Sequence, residues 1–398
     1  MIGNNKIALF GTFDVDNYGD LLFPFLAEHR LENYKLEFVS PTNTKTIFKD
    51  AKSIICFDDC VKKNYNAVII GGGNILHLKP NVNTVYGITG FSYADLWIGA
   101  IKLAGESKIP SLFNSPGIPE KFKSDIEEKI VYDALISCSY ISVREIYSEK
   151  IIKDLFNQEI IDINVVPDTA FEISKVWPLE NQLKNNVITI NLNSRYHNPA
   201  DETAKWIDKI ALKFNSDINF VVIGECHGDS IFTNLVAKRI VSKYEIHRSD
   251  NLKELAQCIG RSRLFIGSSM HGFITALSYK TPAFMVLNNK PMHKFLGLYE
   301  LCDLKKDSLC SSFNECYLNI DKPAILSNQT VNKISTLLDA HWNHIKNLIQ
   351  NKHITKSTQN LQNYRLLLKM SFRENNYNFK KSLRLRIKKI LKKILSFE

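Results

Sequence analysis

The sequence predicts an α/β protein of two Rossmann-like parallel-sheet domains that face a cleft, with helices added at the C-terminal end. Two observations carry this. Short apolar runs of strand length alternate with segments of helical period along residues 5–290, the pattern of parallel sheets joined by crossover helices. The alternation breaks at a polar Trp-Pro stretch, KVWPLENQLKNN from Lys175 to Asn186, which reads as a linker between two halves. The expected divisions are residues 1–178, residues 183–330, a helical extension at 331–360 and a basic amphipathic tail at 361–398.

In the first half, KIALF at Lys6 to Phe10 is the opening strand. A loop follows as far as Gly19, and Asp20 is expected to cap a helix with Leu21, Leu22, Phe25 and Leu26 on its apolar face. Asn17 and Asp20 thus stand where the first strand ends, either facing a ligand or serving only as turn and cap. Leu36 to Val39 and Ser53 to Cys56 read as strands, and so does Ala67 to Ile70. Gly71, Gly72, Gly73 and Asn74 follow the last of these, then His77. Glycines there let the backbone turn sharply and approach a ligand. The triplet lacks the GxGxxG spacing, so no dinucleotide is expected. Trp97 to Ala104 and Asp125 to Ser137 are helical, and Pro110 to Phe113 is a strand. Tyr140 to Val143 is a strand ending in Arg144-Glu145. An arginine in that position suits a phosphate or carboxylate, since its fork matches both; a salt bridge to a neighbour is the plainer role. Asp168, in VPDTAF, either faces the cleft or caps the turn before Phe171.

Strand pattern restarts at Val187, with Arg195 and His197 in the loop beyond it. Trp206 to Phe214 is helical, Phe220 to Ile223 is a strand, and Leu235 to Tyr244 is expected to be a helix. Ser249-Asp250 is expected to cap a helix from Leu252 to Ile259. Arg263 to Pro282, RLFIGSSMHGFITALSYKTP, is strand, tight loop and helix, with His271-Gly272 at the helix start. The first turn of a helix has unpaired N–H groups and suits an anion such as phosphate. A histidine beside such a site moves a proton at neutral pH; capping or local packing is its plainer role. Ala283 to Leu287 is the last strand.

Composition narrows the function classes. Apolar and charged contents of 44% and 23% are ordinary for a soluble globular protein. No run of eighteen apolar residues occurs, and the first residues lack a signal-peptide layout. Eight cysteines are scattered without a CxxC pair, which points to reduced thiols in a cytosolic protein and to no metal site. The net charge is +10, of which +9 lies in residues 361–398. The body is therefore nearly neutral, and no nucleic acid partner is expected. Within the tail, Leu383, Ile387, Ile390, Leu391, Ile394 and Leu395 share one helical face, while Arg386, Lys388, Lys389, Lys392 and Lys393 lie largely on the other. From Ser382 to Glu398 this is a basic amphipathic helix, suited to an anionic membrane surface or to docking on a partner.

The SSMHG unit, with NYGD at Asn17 to Asp20, VIIGGGN at Val68 to Asn74, ISVRE at Ile141 to Glu145 and VPDTAF at Val165 to Phe171, resembles the polysaccharide pyruvyl transferase family. The motifs stand in the family's order across roughly residues 5–290. Many members carry arginine two positions before the histidine; Ser269 stands there in this chain. The resemblance implies a GT-B-like architecture and transfer of a pyruvyl group from phosphoenolpyruvate to a sugar of a bacterial surface polysaccharide precursor, without cofactor or metal. Under it, His271 is the general acid. Arg144, Arg195, Ser268, Ser269 and Gly272 hold the donor. Asn17, Asp20, Gly72, Gly73, Asn74 and Asp168 line the acceptor side. The acceptor would be lipid-linked, and the protein cytoplasmic and peripheral at the inner face of the plasma membrane. Two alternatives remain: a GT-B glycosyltransferase using a nucleotide sugar, and a non-catalytic scaffold of an assembly complex.

Overall fold

The structure, a computed structural model, describes residues 5–78, 91–156, 161–180, 184–193, 195, 199–288 and 293–373. The first sheet holds β1 (Lys6–Phe10), β2 (Lys35–Ser40), β3 (Ile54–Cys56), β4 (Ala67–Gly71) and β5 (Ser111–Asn114), in the order β3-β2-β1-β4-β5. A two-strand parallel ribbon, β6 (Ser142–Val143) and β7 (Asn164–Val165), continues it through a bridge between Leu112 and Tyr140. The second sheet holds β8 (Asn185–Asn191), β9 (Asp217–Val221), β10 (Tyr244–His247), β11 (Ser262–Gly267), β12 (Ala283–Val286) and β13 (Leu309–Cys310), in the order β10-β9-β8-β11-β12-β13. All paired strands in both sheets are parallel. Helices cover both faces, so every residue of β4 is buried, and the central strands read as continuous apolar runs rather than alternating ones.

Strand order reverses once in each sheet, between β1 and β4 and between β8 and β11. Open parallel sheets bind ligands in the crevice outside the strand ends at such a reversal. The two crevices are brought together by α1 (Tyr18–Arg30), which leaves the end of β1 and packs on the second domain. Leu21, Leu22 and Leu26 join one core with Leu255 of α2 (Leu252–Arg261) and with Phe273, Ile274 and Leu277 of α3 (Met270–Ser278). The backbone crosses as well: Tyr18 N donates to Ile223 O at 2.8 Å, and the Tyr18 hydroxyl shares a 2.9 Å hydrogen bond with Thr275. The domains therefore meet through an apolar seam, not a hydrated hinge.

Several local expectations are corrected. Asn17, in extended backbone, caps α1 by accepting from Gly19 N at 3.3 Å; Asp20 lies in the first turn, held by Asn17 Nδ2 at 2.8 Å. Asn251, not Asp250, caps α2, accepting from Glu254 N at 3.0 Å. The helix expected over Leu235 to Tyr244 ends at Ala237, and Tyr244 begins the edge strand β10. There the Asp208 carboxylate accepts from the backbone of Val241 and Ser242, turning the chain out of the helix toward β9.

The C-terminal segments return to the first domain. In α4 (Asn328–Gln350), His341 pairs with the Tyr140 hydroxyl at 2.9 Å and with Asn114 at 3.1 Å. Leu361, Tyr364 and Leu368 are buried in the first domain's core. The expected basic tail thus begins inside the body; its amphipathic part, Ser382 to Glu398, lies outside the described residues.

Candidate active site

A cavity of about 220 Å³ opens where the two strand-order reversals face each other. The first domain contributes Thr12, Asn17, Asp20, Gly73, Asn74 and Arg144, and the second contributes Asn191, Asn193, Arg195, His227, Asp229, Ser268, Ser269, His271 and Lys294. Most of the residues singled out in the sequence therefore meet at one place. Gly72, Gly272 and Asp168 do not line it.

His271 lies in the first turn of α3, with its ring edge-on to Phe23 at 5.6 Å. Its Nε2 is 3.4 Å from Asp168 Oδ2, near enough for charge attraction, yet makes no hydrogen bond. On the other edge the backbone of Gly19 presses close: a Cβ there would stand 1.9 Å from Nδ1. The ring is therefore clamped between a carboxylate and a glycine from the other domain.

Arg144, at the end of β6, donates to Asp168 Oδ2 at 3.2 Å and to Asn74 Oδ1 at 2.9 Å, and its buried Nε is without a partner. Asp168 also caps its own turn, accepting from Ala170 N at 3.0 Å. Burial alone would raise its pKa, but His271, Arg144 and the Ala170 amide outweigh this and hold it down to about 2. Asp168 thus stays ionised behind the cavity and fixes both His271 and Arg144.

Ser269 is the N-cap of α3: its Oγ accepts from Gly272 N at 3.2 Å, and its own N–H donates to Asn191 Oδ1 at 3.2 Å. Gly272 packs beside Phe265 and Ile223. Its amide is therefore satisfied within the helix start rather than turned to the cavity. Ser268 Oγ is buried and without a hydrogen-bond partner at the cavity wall. His77 is buried beside Tyr93, and its carbonyl accepts from Trp97 Nε1 at 3.2 Å. His197 lies outside the described residues.

Sequence reading did not single out Lys294, Asp229, Asn191 or Asn193. Lys294 is the second residue of α5 (His293–Leu301), which lies against the first domain where Gly297 meets Glu145. Burial, then the charges of Arg144 and Arg195, lower its pKa to about 8. Burial raises Asp229 to about 7, although Asn191 and the backbone of Gly224 bond its carboxylate. Burial, then Arg195 and Lys294, push His227 down to about 4. Each missed residue ends or follows a parallel strand: Asn191 is the last residue of β8 and Asn193 lies just beyond it, Asp229 comes after β9 and Lys294 after β12. That position was the available signal. Among the described residues no group of three or more His, Cys, Asp or Glu is placed to hold a metal ion.

Two facing parallel-sheet domains, with cations and a clamped histidine at the cavity between them, define a GT-B-like α/β fold. The chain belongs to the polysaccharide pyruvyl transferase family, whose model matches residues 17–291. It is similar in fold to Anabaena HepE in complex with UDP, at 11% identity and a TM-score of 0.50, covering 87% of this chain and 100% of that one. The UDP-GlcNAc 2-epimerase of Methanocaldococcus jannaschii gives 13% identity and a TM-score of 0.48, covering 79% of this chain and 91% of that one. S. aureus MnaA, solved with UDP, gives 12%, 0.47, 79% and 87% respectively. No curated protein matches the sequence.

Proposed function

We propose that the protein transfers a pyruvyl group from phosphoenolpyruvate to a sugar of a bacterial surface polysaccharide precursor, closing a pyruvate ketal across two sugar hydroxyls. The observation that carries this is the meeting of Arg144, Arg195 and Lys294 with His271 in one cavity. Phosphoenolpyruvate brings a phosphate and a carboxylate, and three cations from three separate segments of the chain match two anionic groups. Lys294 supplies the positive charge that Ser269 lacks.

The chemistry begins with protonation of the enol methylene carbon, which makes C2 electrophilic. His271 delivers that proton, and Asp168 behind it holds the ring in place. Arg144, fixed by Asp168 and Asn74, grips the donor without needing to reorganise. Asn17, Asp20, Gly73 and Asn74 face the same cavity from the first domain and receive the sugar. The acceptor in this reading is lipid-linked. The basic, one-sided apolar pattern from Ser382 to Glu398 holds the enzyme at the cytoplasmic face of the membrane, where that substrate stays.

The test is phosphate release from phosphoenolpyruvate in the presence of a panel of lipid-linked sugar acceptors. Release that depends on one acceptor, with a gain of one pyruvyl group in that acceptor's mass, supports the proposal. Sugar transfer from a nucleotide sugar to the same panel, with phosphoenolpyruvate inert, overturns it.

A further inference from the structure

Asp229 is 2% exposed, and its Oδ1 has no hydrogen-bond partner. Its Oδ2 is fixed, accepting from Asn191 Nδ2 at 2.9 Å and from Gly224 N at 3.0 Å. The residue lines the same cavity as Arg195, Lys294 and His271. A buried carboxylate oxygen left without a partner is costly. Protonated, Asp229 at the cavity wall is a donor for an anion bound there.

Ketal formation moves two protons, because two sugar hydroxyls each lose one while the methylene carbon and the departing phosphate each gain one. His271 accounts for one transfer. We propose that Asp229 carries the other, donating from Oδ1 to the departing phosphate and being reprotonated by the second sugar hydroxyl. This rests on the pyruvyl-transfer reading. In the first stage the first hydroxyl oxygen bonds to C2, C3 takes the proton of His271, and the hydroxyl proton returns to the imidazole. In the second stage the bond from C2 to the phosphate oxygen breaks, its electron pair stays on that oxygen, and the oxygen takes the Asp229 proton. The second hydroxyl oxygen then bonds to C2 and gives its proton to the Asp229 carboxylate. Atoms and charges balance, and no oxidant or reductant is required.

The surroundings suit the role. Glu225, Cys226 and His227 are the titratable neighbours on its own segment. Asn191 faces it from β8, and Arg195, Lys294, His271 and Asp20 share the cavity from other elements. Burial, with Glu225 adding to it, sets the carboxyl near neutrality, so it both gives and takes a proton at physiological pH.

Sulfate tests this, because its charge is constant from pH 6 to 8 and it mimics the phosphate. Asp229→Asn keeps an oxygen for Asn191 and Gly224 and presents a permanent donor to the cavity. Calorimetry on the full chain and the variant should show the parent losing about tenfold more sulfate affinity than the variant between pH 6 and 8, as the competent protonated fraction falls. The variant should bind sulfate more tightly than the parent at pH 8, yet release phosphate from phosphoenolpyruvate roughly 100-fold or more slowly. The parent should also take up protons on binding sulfate at pH 7.5; no uptake overturns the proposal even where the variant fails to fold. Matching sulfate profiles and turnover in parent and variant, with phosphoenolpyruvate binding intact, overturn the Asp229 assignment alone. Failure of the parent to bind either ligand removes the pyruvyl-transfer reading with it.

Discussion

At the residue scale, the site sets two aspartates against each other. Asp168, ionised and paired, contributes stability that is present above about pH 4 and lost as pH falls toward 2. Asp229 is the opposite case: its folded pKa is raised, so its contribution is present below about pH 4 and lost as pH rises toward 7. Asp168→Asn should therefore lower the melting temperature at pH 7, by about 2 kcal/mol in free energy, and have little effect near pH 2. Asp229→Asn should raise it at pH 8 and not at pH 4. Thermal melts of both variants across pH check the signs. His271→Ala should cost roughly 100- to 10,000-fold in turnover with little change in melting temperature; near-normal turnover would remove it as the acid. His271 was legible in the sequence because it followed an apolar strand and opened a helix. Its partner Asp168 was legible as a cleft or turn residue but not as a partner of His271, since the 102 residues between them hide a 3.4 Å contact.

At the scale of elements, the central strands could be read because burial on both faces leaves long apolar runs. The edge strands could not: YEIH at Tyr244–His247 is polar and half-exposed, and nothing in its period separates it from the helix before it. Caps were misplaced by one to three residues because Asn-x-x-Asp and Asp-Asn each offer two candidate caps. The helix start at Ser269 also reads differently in three dimensions. Its hydroxyl already satisfies Gly272 N, so the cations at the cavity come from side chains of other segments, Arg144, Arg195 and Lys294. Gly19 gives the sharpest prediction at this scale. A methyl group there would stand 1.9 Å from His271 Nδ1. Gly19→Ala should displace the imidazole and cut turnover by at least tenfold, while binding of sulfate through Arg144 and Arg195 changes less than threefold. Unchanged turnover would show that the ring needs no such clamp.

At the scale of the molecule, two-domain α/β architecture was legible from alternation alone. The apolar seam between α1, α2 and α3 was not, because a sequence does not say which buried faces meet. That seam holds the two strand-order reversals together and makes the cavity a property of the whole chain. The return of residues 355–373 to the first domain was equally hidden: Leu361, Tyr364 and Leu368 resemble the apolar face of a free helix until their burial is seen. It predicts that a chain ending at residue 373 stays folded, whereas one ending at residue 354 loses a part of the first core and melts several degrees lower. The full chain should bind anionic vesicles in a salt-sensitive way, and the chain ending at 373 should lose that binding, at about 1 kcal/mol for each basic group removed from the surface. Equal vesicle binding by both would place the membrane contact elsewhere.

The central claim is that the cavity between the domains receives phosphoenolpyruvate, and direct titration tests it. Calorimetry on the purified full chain should give saturable binding of phosphoenolpyruvate, weakened roughly 10- to 100-fold by Arg144→Ala, as expected for one charge-assisted contact. UDP-GlcNAc should not compete. Binding of UDP-GlcNAc that Arg144→Ala weakens, with no binding of phosphoenolpyruvate, would contradict it.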